Sequence, residues 1–290
     1  MENNKYYDYR HDRAIDLQND GCKFEDWSVR YPQALFSSHP NGFLIFLPPD
    51  QIQSSDEYSE DDPYSVEGKL DSAFQQRRIQ TTLDLIRSTQ AADGLKILDL
   101  GCGKGLITAE IKKYYPKAEL SGLDYSLSAI DFAAQNFKDI DFCVANALDL
   151  PYASNYFDLV VCNNLWEHVP DPLSLLEKIR KITKPGGYLI ISTPSRYRVS
   201  NLVRVLRGKP VILMSKYHVT EYSVGQIFEQ LRYGKFEVVK VYSKPIREKN
   251  VGFNRQTLSY LVRSISGLLI NGIHSHHSLE STVFYLARKT

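Results

Sequence analysis

The sequence predicts an α/β fold built on a doubly wound, mostly parallel sheet of seven strands. Two observations support this prediction. Short apolar runs alternate with helical segments through most of the chain, and the first run ends in a glycine-rich turn that opens a helix. Such alternation is typical of parallel strands joined by crossover helices. The runs expected to form strands are residues 95–100, 118–123, 141–144, 157–162, 188–192, 236–242 and 281–288.

Amphipathic segments separate these runs. Residues 67–90 carry Phe74, Leu83 and Ile86 near helical spacing, which predicts an amphipathic helix before the first strand. The link from residue 146 to residue 156 is short and rich in turn residues, so no long helix is expected there. Further helices are expected at residues 105–115, 126–137, 172–183, 223–232 and 255–270.

The residue composition changes along the chain and predicts two parts. Residues 1–66 are polar and aromatic and include an acidic run at 54–63, so we expect an N-terminal extension packed on the core. Residues 67–290 are expected to form the α/β domain, with an insertion at 194–221 after the fifth strand.

Composition narrows the class of partner. Lysine and arginine number 35 against 34 aspartates and glutamates, so no overall field favours nucleic acid, and a nucleic-acid substrate is not expected. The N-terminus lacks the apolar core of a signal peptide, and no apolar run approaches the ~20 residues that span a bilayer. The four cysteines form no Cys-x-x-Cys pair and are expected as free thiols, which suits a reducing cytoplasm.

The most informative motif is the run Ile-Leu-Asp-Leu-Gly-Cys-Gly-Lys-Gly at residues 97–105. Its glycines allow a sharp turn and close approach of a ligand at the carboxyl end of a strand. A nicotinamide-binding Gly-x-Gly-x-x-Gly motif would place its third glycine at Leu106. Asp99, two residues before Gly101, would repel a pyrophosphate but can accept a hydrogen bond from an ammonium group. A tight turn without a ligand is the alternative.

Asp124 is the second candidate binding residue. It ends the second predicted strand, 19 residues beyond Gly105. This matches the spacing of roughly 20 residues at which an acidic side chain accepts hydrogen bonds from ribose hydroxyls. An N-cap of the following helix is the alternative role.

Together the glycine motif, the acid and the strand rhythm resemble the class I, Rossmann-like S-adenosylmethionine-dependent methyltransferases. Within this class the chain is similar to the ubiquinone-biosynthesis O-methyltransferases and to enzymes of polysaccharide clusters. The resemblance covers residues 67–290 and implies an antiparallel last strand and S-adenosylmethionine as cofactor. The cofactor-binding residues that it implies are Asp99, Gly101, Cys102, Gly103, Gly105, Asp124, Tyr125, Asn146, Ala147 and Asn163.

The resemblance also assigns roles within this set. Asp99 would bind the amino group of the methionine moiety, and Asp124 the ribose. Asn146 stands where the family usually has the Asp that contacts the adenine amino group, and its side-chain carbonyl can accept the same hydrogen bond. A simple turn residue is the alternative role of Asn146.

Two histidines are the candidate catalytic residues. Glu167 and His168 resemble a Glu-His pair that many members carry after the fourth strand. His168 or His218 is expected to act as a general base, because imidazole titrates near neutral pH; a structural role is the alternative. In the quinone O-methyltransferases a further upstream Glu helps to bind a divalent metal. Asn164 occupies the matching position, so no metal ligands are predicted.

The expected activity is O-methylation of a small molecule, a sugar or a lipid-linked acceptor. A non-catalytic cofactor-binding module and an NAD-dependent oxidoreductase are the alternatives. The oligomeric state is left open, with a homodimer as one option. The insertion could bind an acidic group of the acceptor, lie on a membrane surface, or form a lid with a solvated basic face. Its cationic residues are Arg196, Arg198, Arg204, Arg207, Lys209 and Lys216.

Overall fold

The computed structural model describes residues 4–27, 33–52, 73–89, 94–242 and 281–290. Its strands in the α/β domain are β6 (Lys96–Leu100), β7 (Glu119–Asp124), β8 (Asp141–Val144), β9 (Phe157–Asn163), β10 (Thr183–Pro194), β11 (Phe236–Tyr242) and β12 (Thr282–Lys289). The strands that precede this domain in the chain are β1 (Tyr7–Asp8), β2 (Arg13–Ala14), β3 (Gly21–Lys23), β4 (Phe36–Ser38) and β5 (Leu44–Ile45).

The helices alternate with the strands as the amphipathic pattern predicts. They are α1 (Ala73–Ser88), α2 (Leu106–Tyr114), α3 (Leu127–Asn136), α4 (Pro172–Ile182), α5 (Val199–Leu206) and α6 (Val224–Tyr233). Side-chain caps fix several N-termini: Ser126 accepts a hydrogen bond from the Ala129 amide, and Ser223 forms a capping box with Gln226. The sequence did not predict α5, and the helix expected at 255–270 lies outside the described residues.

The central sheet confirms the predicted architecture and corrects its size. Its strand order is β11-β12-β10-β9-β6-β7-β8-β5-β4-β3, and β6 to β10 pair in parallel. The last strand, β12, is antiparallel to both of its neighbours, as expected. The predicted count of seven strands is wrong, because the sheet has ten.

The three additional strands come from the N-terminal extension. β5 pairs in parallel with β8, and the Phe46 amide donates to the Val144 carbonyl at 2.8 Å. This pairing satisfies backbone groups that would be left open at the edge of a seven-stranded sheet. The strands are only two or three residues long, so their alternation is too short to detect in the sequence. The predicted boundary near residue 66 lies outside the described residues.

Apolar side chains cover both faces of the sheet. Within β9, Val160 and Cys162 belong to one core cluster, and Leu159 and Val161 to the other. Helices α4 and α6 close the first cluster, while α1, α2 and α3 close the second. This burial on both faces explains why the strands read as continuous apolar runs. In the described part of the chain, no helix has the length and apolar character needed to cross a bilayer.

Gly122, in the middle of β7, provides a test of this packing. A Cβ at this position would lie 2.5 Å from the Phe142 ring and 3.0 Å from the Cys102 sulfur. We therefore expect Gly122→Ala to lower the free energy of unfolding by about 1–3 kcal/mol, through overpacking of the core. The matched control is Gly225→Ala in α6, where a Cβ meets nothing within 4 Å. Urea titration of both variants measures the difference, and equal stability would contradict the packing described here.

Candidate functional site

The glycine loop follows β6 and turns in the left-handed region of backbone space. Gly101, Gly103 and Gly105 have φ values of +75°, +52° and +71°. A Cβ at Gly105 would lie 2.9 Å from the Phe142 ring, and one at Gly101 would lie 3.2 Å from the Leu165 side chain. Both conformation and crowding therefore require glycine in this loop.

Hydrogen bonds fasten this loop to the end of β7. The Gly101 and Cys102 amides donate to the Leu123 carbonyl at 2.8 and 3.1 Å. The Asp124 carboxylate accepts from the Gly103 amide at 2.7 Å with Oδ2. Its Oδ1 accepts from the Ser126 amide at 3.0 Å. The N-cap of the following helix is Ser126 and not Asp124. Asp124 instead links the glycine loop after β6 to the end of β7.

Asp99 lies at the end of β6 and is 2% exposed. Its Oδ2 accepts a hydrogen bond from the Thr108 hydroxyl at 2.6 Å. Burial raises the pKa of the Asp99 carboxyl to about 6, against the opposing effects of the Thr108 hydrogen bond and the Arg78 charge. These two contacts do not offset the effect of burial. A further cationic group close to Asp99 would stabilise its ionised form.

Helix α1 contributes a buried polar face that the sequence analysis missed. Gln75, Arg78 and Thr82 recur at spacings of three and four residues, which places them on one side of the helix. Arg78 donates to Gln75 Oε1 at 3.0 Å and to the Asn163 carbonyl at 3.4 Å. A helical face that is polar on its buried side is the signal that could have revealed these residues.

Asn163 ends β9 beside this helix and is 3% exposed. Its Nδ2 donates to the Thr82 hydroxyl at 3.0 Å, while its Oδ1 is buried without a hydrogen-bond partner. A buried acceptor of this kind costs free energy unless another donor reaches it. The side chain is therefore prepared to accept a hydrogen bond from a ligand.

Asn146 follows β8 and adopts an Asx turn, in which its Oδ1 accepts from the Leu148 amide at 2.9 Å. The turn interpretation thus describes its local geometry, although the same oxygen has a second lone pair. The neighbouring Ala145 amide donates to the Asp124 carbonyl at 3.0 Å, which holds this segment next to the end of β7. Ala147 packs on the core, and Tyr125 is 39% exposed with its hydroxyl donating to the Gln51 carbonyl.

The segment after β9 carries the other candidate residues. Asn164 has a φ of +54° and donates to Glu167 Oε1 at 3.0 Å. Glu167 is fully buried, and its Oε2 has no hydrogen-bond partner. The Glu167 carbonyl accepts from the Val219 amide at 2.9 Å, so this segment and the insertion are held together.

His168 and His218 meet at this junction, with ring centroids 5.0 Å apart and an interplanar angle of 84°. His218 Nδ1 lies 2.9 Å from Oε1 of the fully buried Glu221. Glu221 also forms an ion pair with Arg198 and accepts from the Met214 amide. Sequence analysis did not single out Glu221, although it stands three residues after His218, and this spacing could have revealed the contact.

The charges at this junction are set by burial and by these contacts. Burial lowers the pKa of His168 below its ordinary value of 6.5; Glu167 opposes this effect and His218 adds to it. Burial alone would raise the pKa of Glu221, but hydrogen bonds from His218, Met214 and Arg198 hold it below its ordinary value. Near neutral pH, His168 is therefore neutral and Glu221 ionised, so that His218 Nδ1 is the donor of their hydrogen bond.

Glu167, His168 and His218 also present potential metal-ligand atoms within 4.8 Å of one another. A carboxylate with two imidazoles is a donor set that suits a divalent transition-metal ion. The sequence analysis predicts no metal ligands, and the absence of a metal site stays a prediction. The histidines at positions 274, 276 and 277 lie outside the described residues.

The candidate cofactor-binding residues thus lie together at the end of the sheet where the parallel strands have their carboxyl ends. Asp99, Asp124 and Asn163 lie at the carboxyl ends of β6, β7 and β9. Strand β6 lies between β7 and β9, so the order of strands reverses at this point. Open α/β sheets bind their ligands in the crevice at such a reversal.

Comparison with known proteins identifies a family that matches this chain. The family described as "Methyltransferase domain" matches residues 91–239. Over 126 residues the chain is 33% identical to a ubiquinone biosynthesis O-methyltransferase of Thiobacillus denitrificans, covering 41% of this chain and 53% of that protein. The same enzyme of Chromobacterium violaceum is 32% identical over 149 residues, covering 49% and 62%. The chain therefore spans less than two thirds of the length of these relatives.

Solved structures show the same fold at lower identity. The cyclase SpnF aligns with a TM-score of 0.55 and 18% identity, covering 77% of this chain and 85% of that chain. An S-adenosylmethionine-dependent methyltransferase of Methanosarcina mazei aligns with a TM-score of 0.51 and 18% identity, covering 70% and 96%. Since a cyclase shares the fold, the likeness does not specify a reaction.

The raised pKa of Asp99 predicts a pH-dependent stability. The folded state binds the proton of Asp99 with a pKa of about 6, whereas the ordinary value is 3.8. Stability should therefore fall as pH rises between these values, and the ionised group should cost about 2–3 kcal/mol at pH 7. Asp99→Asn should recover most of this cost above pH 7 and little of it near pH 4.

Urea titrations of the two proteins from pH 4 to pH 8 measure this difference. Asp139→Asn is the control for the substitution, because Asp139 is exposed and lies just before β8, at the opposite edge of the sheet. A gain in stability for Asp99→Asn that did not change with pH would contradict the assignment.

Proposed function

This chain belongs to the methyltransferase-domain family, and from that premise we propose that it transfers the methyl group of S-adenosylmethionine to an oxygen of an acceptor. The acceptor is a small molecule, a sugar or a lipid-linked compound. The single observation that carries this proposal is the buried Asp99 carboxylate beside the glycine loop and Asp124. Four free cysteines support the reducing cytoplasm as the location of the reaction.

The described residues fit S-adenosylmethionine because they offer a complementary group for each of its polar parts. Asp99 would accept the ammonium group, which would offset the cost of its own burial. Arg78, whose charge acts on Asp99, would bind the carboxylate of the same methionine moiety. The unpartnered Oδ1 of Asn163 would accept a further hydrogen bond from the cofactor.

The nucleoside would lie along the neighbouring strand ends. Asp124 holds the Gly103 and Ser126 amides at the end of β7, and in this proposal its carboxylate accepts hydrogen bonds from the ribose hydroxyls. Asn146 would accept from the adenine amino group with the second lone pair of its Oδ1. Tyr125, Ala147 and Cys102 would contribute neighbouring surface.

The chemistry of transfer needs little from the protein besides alignment and a base. When bound, the cofactor supplies an electrophilic methyl group on a sulfonium. The protein would orient the acceptor hydroxyl toward that methyl group and exclude water. His168 would accept the proton that leaves the acceptor hydroxyl during the transfer.

The environment of His168 suits it to this role. Its lowered pKa keeps the ring neutral near pH 7, so that a ring nitrogen is free to accept the proton. His218 is fixed in orientation by its hydrogen bond to Glu221 and packs edge-on against His168. In this proposal His218 positions the base, and Glu221 positions His218.

Binding measurements distinguish the proposal from its alternatives. Calorimetry with S-adenosylhomocysteine and with NAD, carried out side by side, should give binding of the first only. Tight binding of NAD with none of S-adenosylhomocysteine would establish a nicotinamide enzyme instead. Binding of S-adenosylhomocysteine without turnover on any acceptor class would favour a non-catalytic module.

Asp124→Ala tests the ribose assignment. Loss of charge-assisted hydrogen bonds to the cofactor, together with release of the Gly103 amide, should weaken S-adenosylhomocysteine binding by about a hundredfold. The matched control is Asp139→Ala, an exposed carboxylate at the opposite edge of the sheet, which should leave affinity unchanged. Isothermal calorimetry on variants shown to be folded by circular dichroism gives the comparison; unchanged affinity in Asp124→Ala would mean that the ribose lies elsewhere.

The pH dependence of turnover tests the base. Because burial lowers the pKa of His168 below 6.5, kcat should rise with pH along a limb centred below that value and stay level above it. His168→Gln should lower kcat by about a hundredfold and abolish the limb. Rates are measured with an acceptor that gives turnover, and His11→Gln, an exposed histidine of the extension, is the control. A limb that persists in His168→Gln but vanishes in His218→Gln would transfer the role to His218.

A further inference from the structure

Exposed apolar side chains are concentrated in the insertion. Of the 16 large hydrophobic side chains that are exposed among the described residues, 8 lie between positions 197 and 219. Leu206 at the end of α5 is 78% exposed, more than any other of these side chains. The eight are Tyr197, Val205, Leu206, Ile212, Leu213, Met214, Tyr217 and Val219. Such clustering on a water-soluble surface marks a contact with an apolar partner.

The same stretch carries only positive charge. Residues 196–220 include six arginines and lysines and no aspartate or glutamate. Arg198 is buried against Glu221, while Arg207, Lys209 and Lys216 are exposed among the apolar side chains. Apolar groups interspersed with cations complement a surface that is both apolar and anionic.

The chain holds this segment in a defined shape that keeps its apolar side chains outward. Asn201 is 1% exposed; its Nδ2 donates to the Ile212 carbonyl at 3.0 Å, and its Oδ1 accepts from the Ile212 amide at 3.2 Å. Arg198 donates to the same Ile212 carbonyl. Arg204 Nε donates to the Pro210 carbonyl at 2.9 Å. These bonds fasten the backbone of Pro210 and Ile212 to α5 and its N-cap residue. We call residues 205–217 the docking loop.

We propose that the docking loop binds the surface of an anionic lipid bilayer. Its apolar side chains would enter the boundary between headgroups and acyl chains, and its lysines and arginines would meet the lipid phosphates. Each apolar side chain buried in this way, and each cation near the surface, adds to the affinity. Binding is peripheral and reversible, since the loop is short.

Docking has a consequence for the candidate site, and this consequence rests on the proposed function. Glu221 accepts from the Met214 amide in the docking loop and from His218 in the site. A membrane bound at the loop would therefore lie close to the pair His168 and His218, which favours an acceptor held in or at the bilayer. Docking itself requires no methyl transfer, so that it can be tested separately.

Vesicle co-sedimentation tests docking directly. The full chain is mixed with phosphatidylcholine vesicles in which phosphatidylglycerol makes up roughly a third of the lipid, and with pure phosphatidylcholine vesicles. We expect binding to the anionic vesicles that weakens as salt is raised. Leu206→Glu should weaken it by more than about tenfold, and Arg207→Glu by about fivefold or more.

The control is Tyr233→Glu, which adds the same charge at a side chain that is 73% exposed in α6, outside the insertion. This variant should bind vesicles nearly as the wild type does, and all three variants should retain affinity for S-adenosylhomocysteine. Absence of vesicle binding, or equal weakening by Tyr233→Glu, would overturn the proposal.

Sedimentation velocity over a range of protein concentrations tests the competing occupant, a second copy of this chain. A dimer that Leu206→Glu dissociates, with no vesicle binding by the wild type, would assign the docking loop to self-association and overturn the membrane assignment. If the wild-type chain bound anionic vesicles but not S-adenosylhomocysteine, the result would count against the proposed function alone.

Discussion

Parallel pairing of β6, β7, β8 and β9 is the constraint on which the rest of the structure depends. Parallel strands bring their carboxyl ends to one edge, and the reversal of order at β6 opens a crevice there. Residues far apart in sequence, such as Asp99 and Asn163, become neighbours only through this alignment. Crowding within the sheet in turn explains the glycines, since Phe142 occupies the space that a side chain at Gly105 or Gly122 would need.

The crevice holds polar groups that the folded chain alone does not fully satisfy. Burial raises the pKa of Asp99 to about 6, and both Asn163 Oδ1 and Glu167 Oε2 are buried without partners. A domain stabilised by only about 5–15 kcal/mol rarely retains several such groups unless a ligand repays their cost. The raised pKa of Asp99 and the two unpartnered oxygens, taken together at the carboxyl ends of neighbouring strands, support the proposed binding site.

Sequence reasoning succeeded where one element carries the whole signal. The glycine loop and Asp124 stand at fixed distances from apolar strands, and those strands form as the periodicity predicts. It failed where the signal depends on contacts between distant segments. The short β3, β4 and β5 have too few residues to show alternation, so the sheet has ten strands and not seven. Arg78 lies on the inner face of α1. Its charge lowers the pKa of Asp99 only because the fold brings the two side chains close together.

Glu221 shows why the insertion cannot be understood apart from the site. A fully buried carboxylate is costly unless it is paired, and Glu221 is satisfied by Arg198, His218 and the Met214 amide together. Removing any one of these donors would leave part of a buried charge uncompensated, so the three segments that supply them must fold as a unit. Orientation of His218 is therefore coupled to the conformation of residues 205–217. A ligand that changed the conformation of that loop would therefore change the geometry of the histidine pair without touching it.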